Sequence, residues 1–264
     1  MIEFDNVTRR YGSKVAVDGL DLTIPPGELF ALLGPNGAGK TTTIKMIVGL
    51  MRPSSGAVRV CGHDVAQSTR DAARLLGYVP DVPFLYEKLT GREFLQFIAD
   101  MFGIEPRLGE RQIAAQIENF RLENFVDDLT ESYSHGMKQR LAFAAALVHE
   151  PRVLVIDEPM VGLDPRSVRV VKDLLRAQAA LGLTIFMSTH LLSIAEEIAD
   201  RVAVLDQGKL QFLGTLDQLR RRLSTEHSSL EQLYLNLTAE SAGDATEYVD
   251  RSAPPPPISQ ERRA

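Results

Sequence analysis

The feature that most constrains this chain is an eight-residue segment with the pattern G-x-x-x-x-G-K-[ST]. An apolar run from Leu29 to Leu33 leads into the segment, and residues 42–47 continue from it as a helical stretch. Glycines let backbone N–H groups turn toward an anion, and a helix that begins there directs its positive end at the same point. The pattern therefore predicts a phosphate-binding loop between a strand and a helix. Its residues are Gly34, Pro35, Asn36, Gly37, Ala38, Gly39, Lys40 and Thr41.

Two side chains at the end of this phosphate loop (residues 34–41) have specific expected roles. Lys40 is expected to meet the β and γ phosphates of a nucleotide as a point charge, and Thr41 offers a hydroxyl to Mg²⁺. The alternative is a glycine-rich turn with an exposed lysine, which the strand before and the helix after disfavour. We also expect the next residue, Thr42, to contact the nucleotide.

A second strand carries acids to the same edge of the predicted sheet. Residues 153–156 are apolar throughout and are followed by Asp157 and Glu158. Ligands of parallel sheets bind at the carboxyl ends of the strands, so both acids are expected beside the phosphate loop. Asp157 is predicted to hold Mg²⁺, directly or through water, and Glu158 to reach the water that attacks the γ-phosphate. The alternative is a pair of acids that merely caps a loop.

The distribution of apolar residues predicts an α/β fold. Residues 2–7 and 20–24 alternate apolar and polar residues, which is typical of half-buried strands. Unbroken apolar runs suit strands that are covered on both faces, as in a parallel sheet flanked by helices. These runs are residues 29–33, 153–156, 184–187 and 202–205.

Residues from about 82 to 130 have helical patterns and no strand signal, which predicts an inserted helical segment. Thr90 and Glu93 have the spacing of a capping box that opens a helix to Phe102, with Gly103 placed to end it. A second helix is expected over residues 107–120. His149, after a later helix, is expected to act as a cation at the end of the helix dipole.

The carboxyl-terminal part differs in composition from the rest. Residues 215–237 are predicted to form a helical extension, and residues 238–264 are expected to be a disordered tail because they lack apolar side chains. The four prolines of residues 254–257 could alternatively be a polyproline recognition segment.

Composition excludes several classes of protein. The 264 residues carry a net charge of −6, so nucleic acid is not an expected partner. A single cysteine, Cys61, excludes an intrachain disulfide and favours a reducing compartment, so the cytoplasm is expected. No segment approaches the roughly 20 consecutive apolar residues that cross a bilayer.

Residues 1–214 resemble the nucleotide-binding subunit of ABC transporters. The resemblance rests on the two nucleotide motifs, on Asp164 in a Gly-Leu-Asp-Pro segment and on His190 after Ser-Thr. It implies a P-loop NTPase fold with a parallel-sheet core, an amino-terminal antiparallel β subdomain and an inserted α-helical subdomain. It further implies that Asp164 lies at a dimer interface and that His190 is the switch histidine. Tyr11 occupies the place of the aromatic residue that stacks on adenine, although a tyrosine there can also simply pack.

Two motifs depart from the family pattern. The signature, usually Leu-Ser-Gly-Gly-Gln, is Tyr-Ser-His-Gly-Met here, so Ser134 and Gly136 match and His135 does not. In the family this segment acts in trans, on the γ-phosphate that the opposite subunit binds. Asp81 stands where the family commonly has Gln; it keeps an oxygen ligand for Mg²⁺ but is shorter and charged. The combination resembles the branch that serves ABC-2 type exporters.

The resemblance implies an ATP-hydrolysing subunit that dimerises on two Mg-ATP molecules, most simply as a homodimer. It would drive separate integral-membrane subunits from the inner face of the cell membrane. Glu158 would be the general base, His190 would position the γ-phosphate and the water, and residues 82–84 with the Thr90 helix would contact the membrane subunit. The alternatives are a non-transport ATPase of the same fold and a nucleotide-dependent switch module that has lost hydrolysis.

Overall fold

A computed structural model describes residues 1–160 and 163–223 of the chain. Ten strands in this part form two sheets, one of six strands and one of four. The predicted α/β fold, with a parallel-sheet core and a separate antiparallel sheet, is confirmed. The expected tail over residues 238–264 and most of the expected extension over residues 215–237 lie outside the described residues.

The six-stranded sheet forms the centre of the protein and has the order β10-β9-β3-β8-β7-β6. Strands β9, β3, β8, β7 and β6 are mutually parallel, whereas β10 pairs antiparallel with β9 at one edge. Every residue of β3, β7 and β8 is buried, as their unbroken apolar runs predict. The strands are β3 (Leu29–Leu33), β6 (Leu76–Val79), β7 (Val153–Asp157), β8 (Thr184–Thr189), β9 (Arg201–Asp206) and β10 (Lys209–Gly214).

The four-stranded sheet is antiparallel and has the order β2-β1-β4-β5. Its strands are β1 (Ile2–Tyr11), β2 (Lys14–Ile24), β4 (Ser55–Val60) and β5 (His63–Asp64). The first two are longer than the alternating pattern predicts, because the β1–β2 register shifts after Phe4, Val7 and Arg9. Each shift moves later side chains to the other face of the sheet, so strict alternation is lost while the pairing continues.

Eight helices surround the sheets in the described part of the chain. They are α1 (Lys40–Ile47), α2 (Thr69–Arg74), α3 (Gly91–Met101), α4 (Pro106–Asn119), α5 (His135–Leu147), α6 (Pro165–Ala180), α7 (Leu192–Ile198) and α8 (Leu216–Leu223). A short 3-10 helix, Thr130–Ser132, precedes α5. Helix α3 starts with the predicted capping box, in which Thr90 accepts from the backbone of Glu93 and the Glu93 carboxylate accepts from the backbone of Thr90.

The buried residues form two clusters, one on each face of the central sheet, and β3 contributes to both. Leu29, Ala31 and Leu33 pack with the helical insertion and helices α5, α6 and α7. Phe30 and Leu32 pack with α1 and the antiparallel sheet. Because alternate side chains of a strand point to opposite faces, a wholly apolar β3 requires cover on both sides.

Helices that could cross a bilayer are absent from the described residues: none combines the necessary length with a sufficiently apolar sequence.

Candidate nucleotide-binding site

The phosphate loop connects β3 to α1, and two of its glycines lie where no larger residue fits. A Cβ atom on Gly34 would be 2.4 Å from the carbonyl oxygen of Leu205. A Cβ on Gly39 would be 2.4 Å from the carbonyl oxygen of Ala16, and Gly39 also has a φ of +112°. Both features favour glycine, so the loop can press against β9 and β2 and keep its N–H groups turned inward.

Lys40 begins α1 and is folded back over the loop. Its Nζ donates to the carbonyl oxygen of Gly34 at 2.8 Å and to that of Pro35 at 3.3 Å. The same nitrogen lies 3.4 Å from Oε1 of Glu158, and the residue is 6% exposed. The first turn of α1 contains no acidic residue, and no side chain caps its N–H groups. The start of this helix is therefore suited to an anion.

Most of the residues that the sequence predicts for the nucleotide line one cavity of about 360 Å³. Asp81, two residues after β6, and both acids that follow Ile156 reach this cavity. Gly34 and Ala38 do not line it; Gly34 contributes the carbonyl that holds Lys40, and Ala38 is buried. The lining residues are Tyr11, Lys14, Ala16, Pro35, Asn36, Gly37, Gly39, Lys40, Thr41, Thr42, Asp81, Asp157 and Glu158.

Asp157 ends β7 and is 3% exposed. Ser188 donates its hydroxyl to Oδ1 of Asp157 at 2.6 Å. Burial raises the pKa of Asp157 above its ordinary value, hydrogen bonds from Ser188 and Thr41 oppose that rise, and the carboxylates of Glu158 and Asp81 add to it. A buried carboxylate with two other carboxylates beside it favours a cation at this point.

Glu158 follows β7 with a φ of +48°, which is uncommon for a residue other than glycine. Its Oε2 lies 3.0 Å from Nδ1 of His190, and the backbone N–H of His190 donates to the same oxygen at 3.4 Å. Its Oε1 faces Lys40. The structure thus brings together the three residues predicted to be catalytic.

Tyr11 lies at the end of β1 with 44% of its surface exposed. Its hydroxyl donates to Sδ of Met51 at 2.9 Å, and the guanidinium carbon of Arg9 lies 4.9 Å from the ring centroid. The ring is therefore held at two points beside the cavity that it lines.

The signature segment lies at the start of α5. Ser134 is the N-cap of this helix, and its Oγ accepts from the N–H of Met137 at 3.3 Å. A Cβ on Gly136 would lie 3.8 Å from both Leu163 and Oγ of Ser167, which places the signature beside the start of α6.

At that point Asp164 caps α6, since its carboxylate accepts from the N–H of Ser167 at 3.1 Å and from the Ser167 hydroxyl at 2.5 Å. Gly162, which precedes it, lies outside the described residues. Ser134, His135, Gly136 and Asp164 do not line the nucleotide cavity of this chain. The predicted site residues therefore form two groups, one around the phosphate loop and one at the adjoining starts of α5 and α6.

Residues 17–161 match the family model described as "ABC transporter". The chain belongs to the ABC transporter family. A Nod factor export ATP-binding protein I of Burkholderia orbicola is 42% identical over 208 residues, which cover 79% of this chain and 68% of that protein. The linearmycin resistance ATP-binding protein LnrL of Bacillus subtilis is 37% identical over 223 residues, covering 84% of this chain and 72% of that protein.

Solved structures agree with this assignment. One described as the ATP-binding subunit of an ABC transporter has a TM-score of 0.83 and 35% identity, and covers 90% of this chain and 99% of that one. A dimeric ATP-binding cassette in a post-hydrolysis state, bound to ADP and Pi, has a TM-score of 0.75 over 82% of this chain and 99% of that one; at 23% identity it shows the shared fold. This ABC protein is thus an ATP-binding subunit that hydrolyses ATP. ATPase domains of such transporters dimerise and work with membrane subunits.

The sequence motifs of this ABC subunit assign no role to Ser188. Its Oγ accepts from the backbone N–H of Glu158 at 3.1 Å while its hydroxyl donates to Asp157. The signal was present, because Ser188 lies two positions before His190 at the end of an apolar run and pairs with Asp157 across β7 and β8.

The expectation for His149 was wrong. Its ring stacks on Phe102 with 3.7 Å between centroids, and its Nε2 lies 2.9 Å from the carbonyl oxygen of Leu76. Since a carbonyl only accepts, this nitrogen carries the proton. Burial lowers the pKa of His149 from 6.5, so the neutral ring is favoured over the cation that a helix dipole would stabilise.

Proposed function

We propose that this ABC subunit binds Mg-ATP in the cavity beside Lys40 and hydrolyses it with Glu158 as general base. Two copies of the chain close over two nucleotides and drive export through separate integral-membrane subunits, from the inner face of the cell membrane. The observation that carries the proposal is the position of the Glu158 carboxylate beside the phosphate loop. Its Oε1 lies 3.4 Å from Nζ of Lys40, and its Oε2 lies 3.0 Å from Nδ1 of His190.

The nucleotide is bound by charge and by backbone N–H groups. Lys40 and the start of α1 meet the phosphates, while residues 34–39 wrap around them. Tyr11 stacks on the adenine. Its ring is fixed in place by Arg9, which lies over it, and by the hydrogen bond of its hydroxyl to Met51. Thr42, which also lines the cavity, adds a contact.

The residues around Asp157 fit a magnesium ion. Thr41, Asp81 and Asp157 offer only oxygen atoms, which Mg²⁺ prefers. A cation among them also offsets the burial and the carboxylate repulsion that raise the pKa of Asp157. When bound, the ion neutralises negative charge on the β- and γ-phosphate oxygens. Thr41, Asp81 and Asp157, which line the same cavity, would hold it.

Hydrolysis requires a proton acceptor for the attacking water. Glu158 takes that proton as the water oxygen bonds to the γ-phosphorus, the bond to the β-phosphate oxygen breaks, and ADP and phosphate leave. His190 is bonded to Glu158 through Nδ1 and its own backbone N–H, so it orients the carboxylate and lies close enough to position the γ-phosphate.

The second copy completes the site. His135 and Gly136 begin the 13-residue helix α5, and Ser134 caps it. The start of this helix is suited to an anion, yet none of the three residues lines the cavity of its own chain. The signature of one copy therefore acts in trans on the γ-phosphate held by the other, with Asp164 beside it at the interface. Nucleotide favours the closed dimer, and hydrolysis releases it.

Contact with the membrane subunit is supported by an apolar groove of about 350 Å³ between the helical insertion and the central sheet. Phe84, which lines the groove, is 78% exposed, and nearby Val82 is 74% exposed, so both offer apolar surface that a partner would cover. Export is supported by the relatives, which are named for Nod factor export and for linearmycin and daunorubicin resistance.

The proposal is tested with Glu158→Gln, which keeps the shape of the side chain and removes the base. We expect ATP turnover to fall about 100-fold or more, because the carboxylate is the proton acceptor, and we expect the variant to persist as an ATP-bound dimer. Glu118→Gln, on the exposed side of α4, is the matched control. Equal turnover in the wild type and Glu158→Gln would refute the assignment of the base.

A further inference from the structure

One buried hydroxyl touches both acids of the site. Ser188 is fully buried in β8, and the pairing of β7 with β8 sets it directly opposite Asp157. Its Oγ lies 2.6 Å from Oδ1 of Asp157 and 3.1 Å from the backbone nitrogen of Glu158. The side chain of Ser188 thus links Asp157, the last residue of β7, to Glu158, the first residue after it.

The chemistry of the groups fixes the direction of both hydrogen bonds. A serine hydroxyl has one proton, and an ionised carboxylate can only accept, so that proton goes to Asp157. The N–H of Glu158 can only donate, so it bonds to a lone pair of the same oxygen. The hydroxyl of Ser188 therefore donates one hydrogen bond, to Asp157, and accepts one, from Glu158.

The second of these bonds falls at a strained point of the backbone. Glu158 has a φ of +48°, a left-handed conformation that is unfavourable for residues other than glycine. This turn carries the Glu158 carboxylate to the position where one oxygen faces Lys40 and the other faces His190. The hydrogen bond to Ser188 fixes the N–H at the start of that turn.

We infer that Ser188 is a positioning residue for ATP hydrolysis, which holds the backbone of Glu158 so that its carboxylate faces the attacking water. The inference rests on the proposed role of Glu158 as base. His190 follows the end of β8, two residues after Ser188, so one segment contacts both the backbone and the carboxylate of Glu158.

The test compares two variants that each remove a buried hydroxyl from β8. Ser188→Ala removes both bonds at the site. Thr184→Val is the matched control, because Thr184 is 1% exposed at the other end of the strand, where its Oγ1 accepts from the N–H of Gly27 at 3.1 Å. We expect a similar loss of thermal stability in both. Only Ser188→Ala should lower kcat, by about tenfold or more, with the KM for ATP changed by less than about threefold.

Two further variants separate positioning from a structural defect. Ser188→Thr keeps the hydroxyl and should recover most of the lost kcat. Ser188→Cys keeps the size of the side chain but forms weaker hydrogen bonds, so its kcat should be well below that of Ser188→Thr. This second comparison tests the inference if Ser188→Ala is too unstable to purify. Combining Ser188→Ala with Glu158→Gln should lower the residual turnover no further than Glu158→Gln alone, because both changes act through one carboxylate.

The outcomes distinguish this inference from the proposed function. If Glu158→Gln turns over ATP like the wild type, the proposed base is wrong and the role of Ser188 is refuted with it. If Glu158→Gln is inactive while Ser188→Ala and Thr184→Val have the same kcat, the proposed function stands and Ser188 is only a structural hydroxyl.

Discussion

Nδ1 of His190 lies 3.0 Å from Oε2 of Glu158, although 32 positions separate the two residues in the chain. They meet because β7 and β8 are neighbours and parallel, so the residues that follow each strand emerge at the same edge of the sheet. The other oxygen of Glu158 faces Lys40. The carboxylate is thus held from both sides, by the phosphate loop and by the end of β8.

We predict that His190→Ala lowers kcat for ATP at least about tenfold, which corresponds to about 1.4 kcal/mol on the activation barrier. The side-chain contact that orients Glu158 would be lost, while the phosphate loop that binds ATP would stay intact. Steady-state turnover and equilibrium binding of a fluorescent ATP analogue measure the two effects. His63→Ala, on β5, is the control. A comparable loss of binding and turnover would contradict an orienting role for His190.

We predict that Gly39→Ala strongly impairs both folding stability and nucleotide binding. The added Cβ would collide with the carbonyl oxygen of Ala16, and the alanine would also have to adopt a φ of +112°. Gly12→Ala is the matched control, because Gly12 also has a positive φ, of +58°, but nothing lies within 4 Å of its added Cβ.

The difference between these two glycine variants isolates the close contact of the phosphate loop with β2. Gly39→Ala should lose at least about 2 kcal/mol more unfolding free energy than Gly12→Ala in urea titrations. Equal losses would mean that the loop is not pressed against β2.

We predict that Thr90→Ala lowers the free energy of unfolding by about 1 kcal/mol, since it removes the N-cap of α3. Thr90 accepts from the N–H of Glu93 at 3.2 Å, and the Glu93 carboxylate accepts from the N–H of Thr90 at 2.8 Å. Glu93→Gln preserves this reciprocal pair and should cost much less. Chemical denaturation measures both. A larger loss in Glu93→Gln than in Thr90→Ala would contradict the capping-box assignment.

We predict that His149 makes the protein less stable as the pH falls below about 6.5. Burial lowers the pKa of His149 in the folded state, so between that pKa and 6.5 the unfolded chain binds a proton that the folded chain does not. Acidification therefore favours unfolding within this window, and the effect levels off below the folded pKa.

The measurement is the free energy of unfolding against pH for the wild type and for His149→Gln, which cannot titrate. The variant loses the stacking on Phe102, so it should be less stable at neutral pH. Its stability should nevertheless fall less steeply than that of the wild type between about pH 7 and about pH 5.5. Parallel curves would show that His149 does not contribute to the acid sensitivity.

Local patterns predicted much of the fold. β3 runs from Leu29 to Leu33, as its apolar run indicates, and α3 begins after Thr90 where the capping box places its start. Four strands were missed: β4, β5, β6 and β10. β6 has only four residues and includes Gly77, and the edge strand β10 is partly polar, so neither has a distinctive pattern.

Motif spacing predicted the residues around the nucleotide, yet their mutual contacts depended on the sheet order. Ser188 shows the difference, since nothing in the sequence states that β8 lies next to β7. His149 is a second example of this dependence on tertiary structure. Its position near the end of a helix favours a protonated ring, whereas its burial against Phe102 favours the neutral one.

By itself, the sequence determined the phosphate loop, the acids that follow β7 and the alternation of strands with helices, because glycine tolerance, charge and periodicity act over a few neighbouring residues. The tertiary structure alone decided which strand ends meet, that Glu158 lies between Lys40 and His190, and that the signature lies away from the cavity of its own chain. These relations depend on strand order and packing between segments far apart in the chain, and local preferences do not encode them.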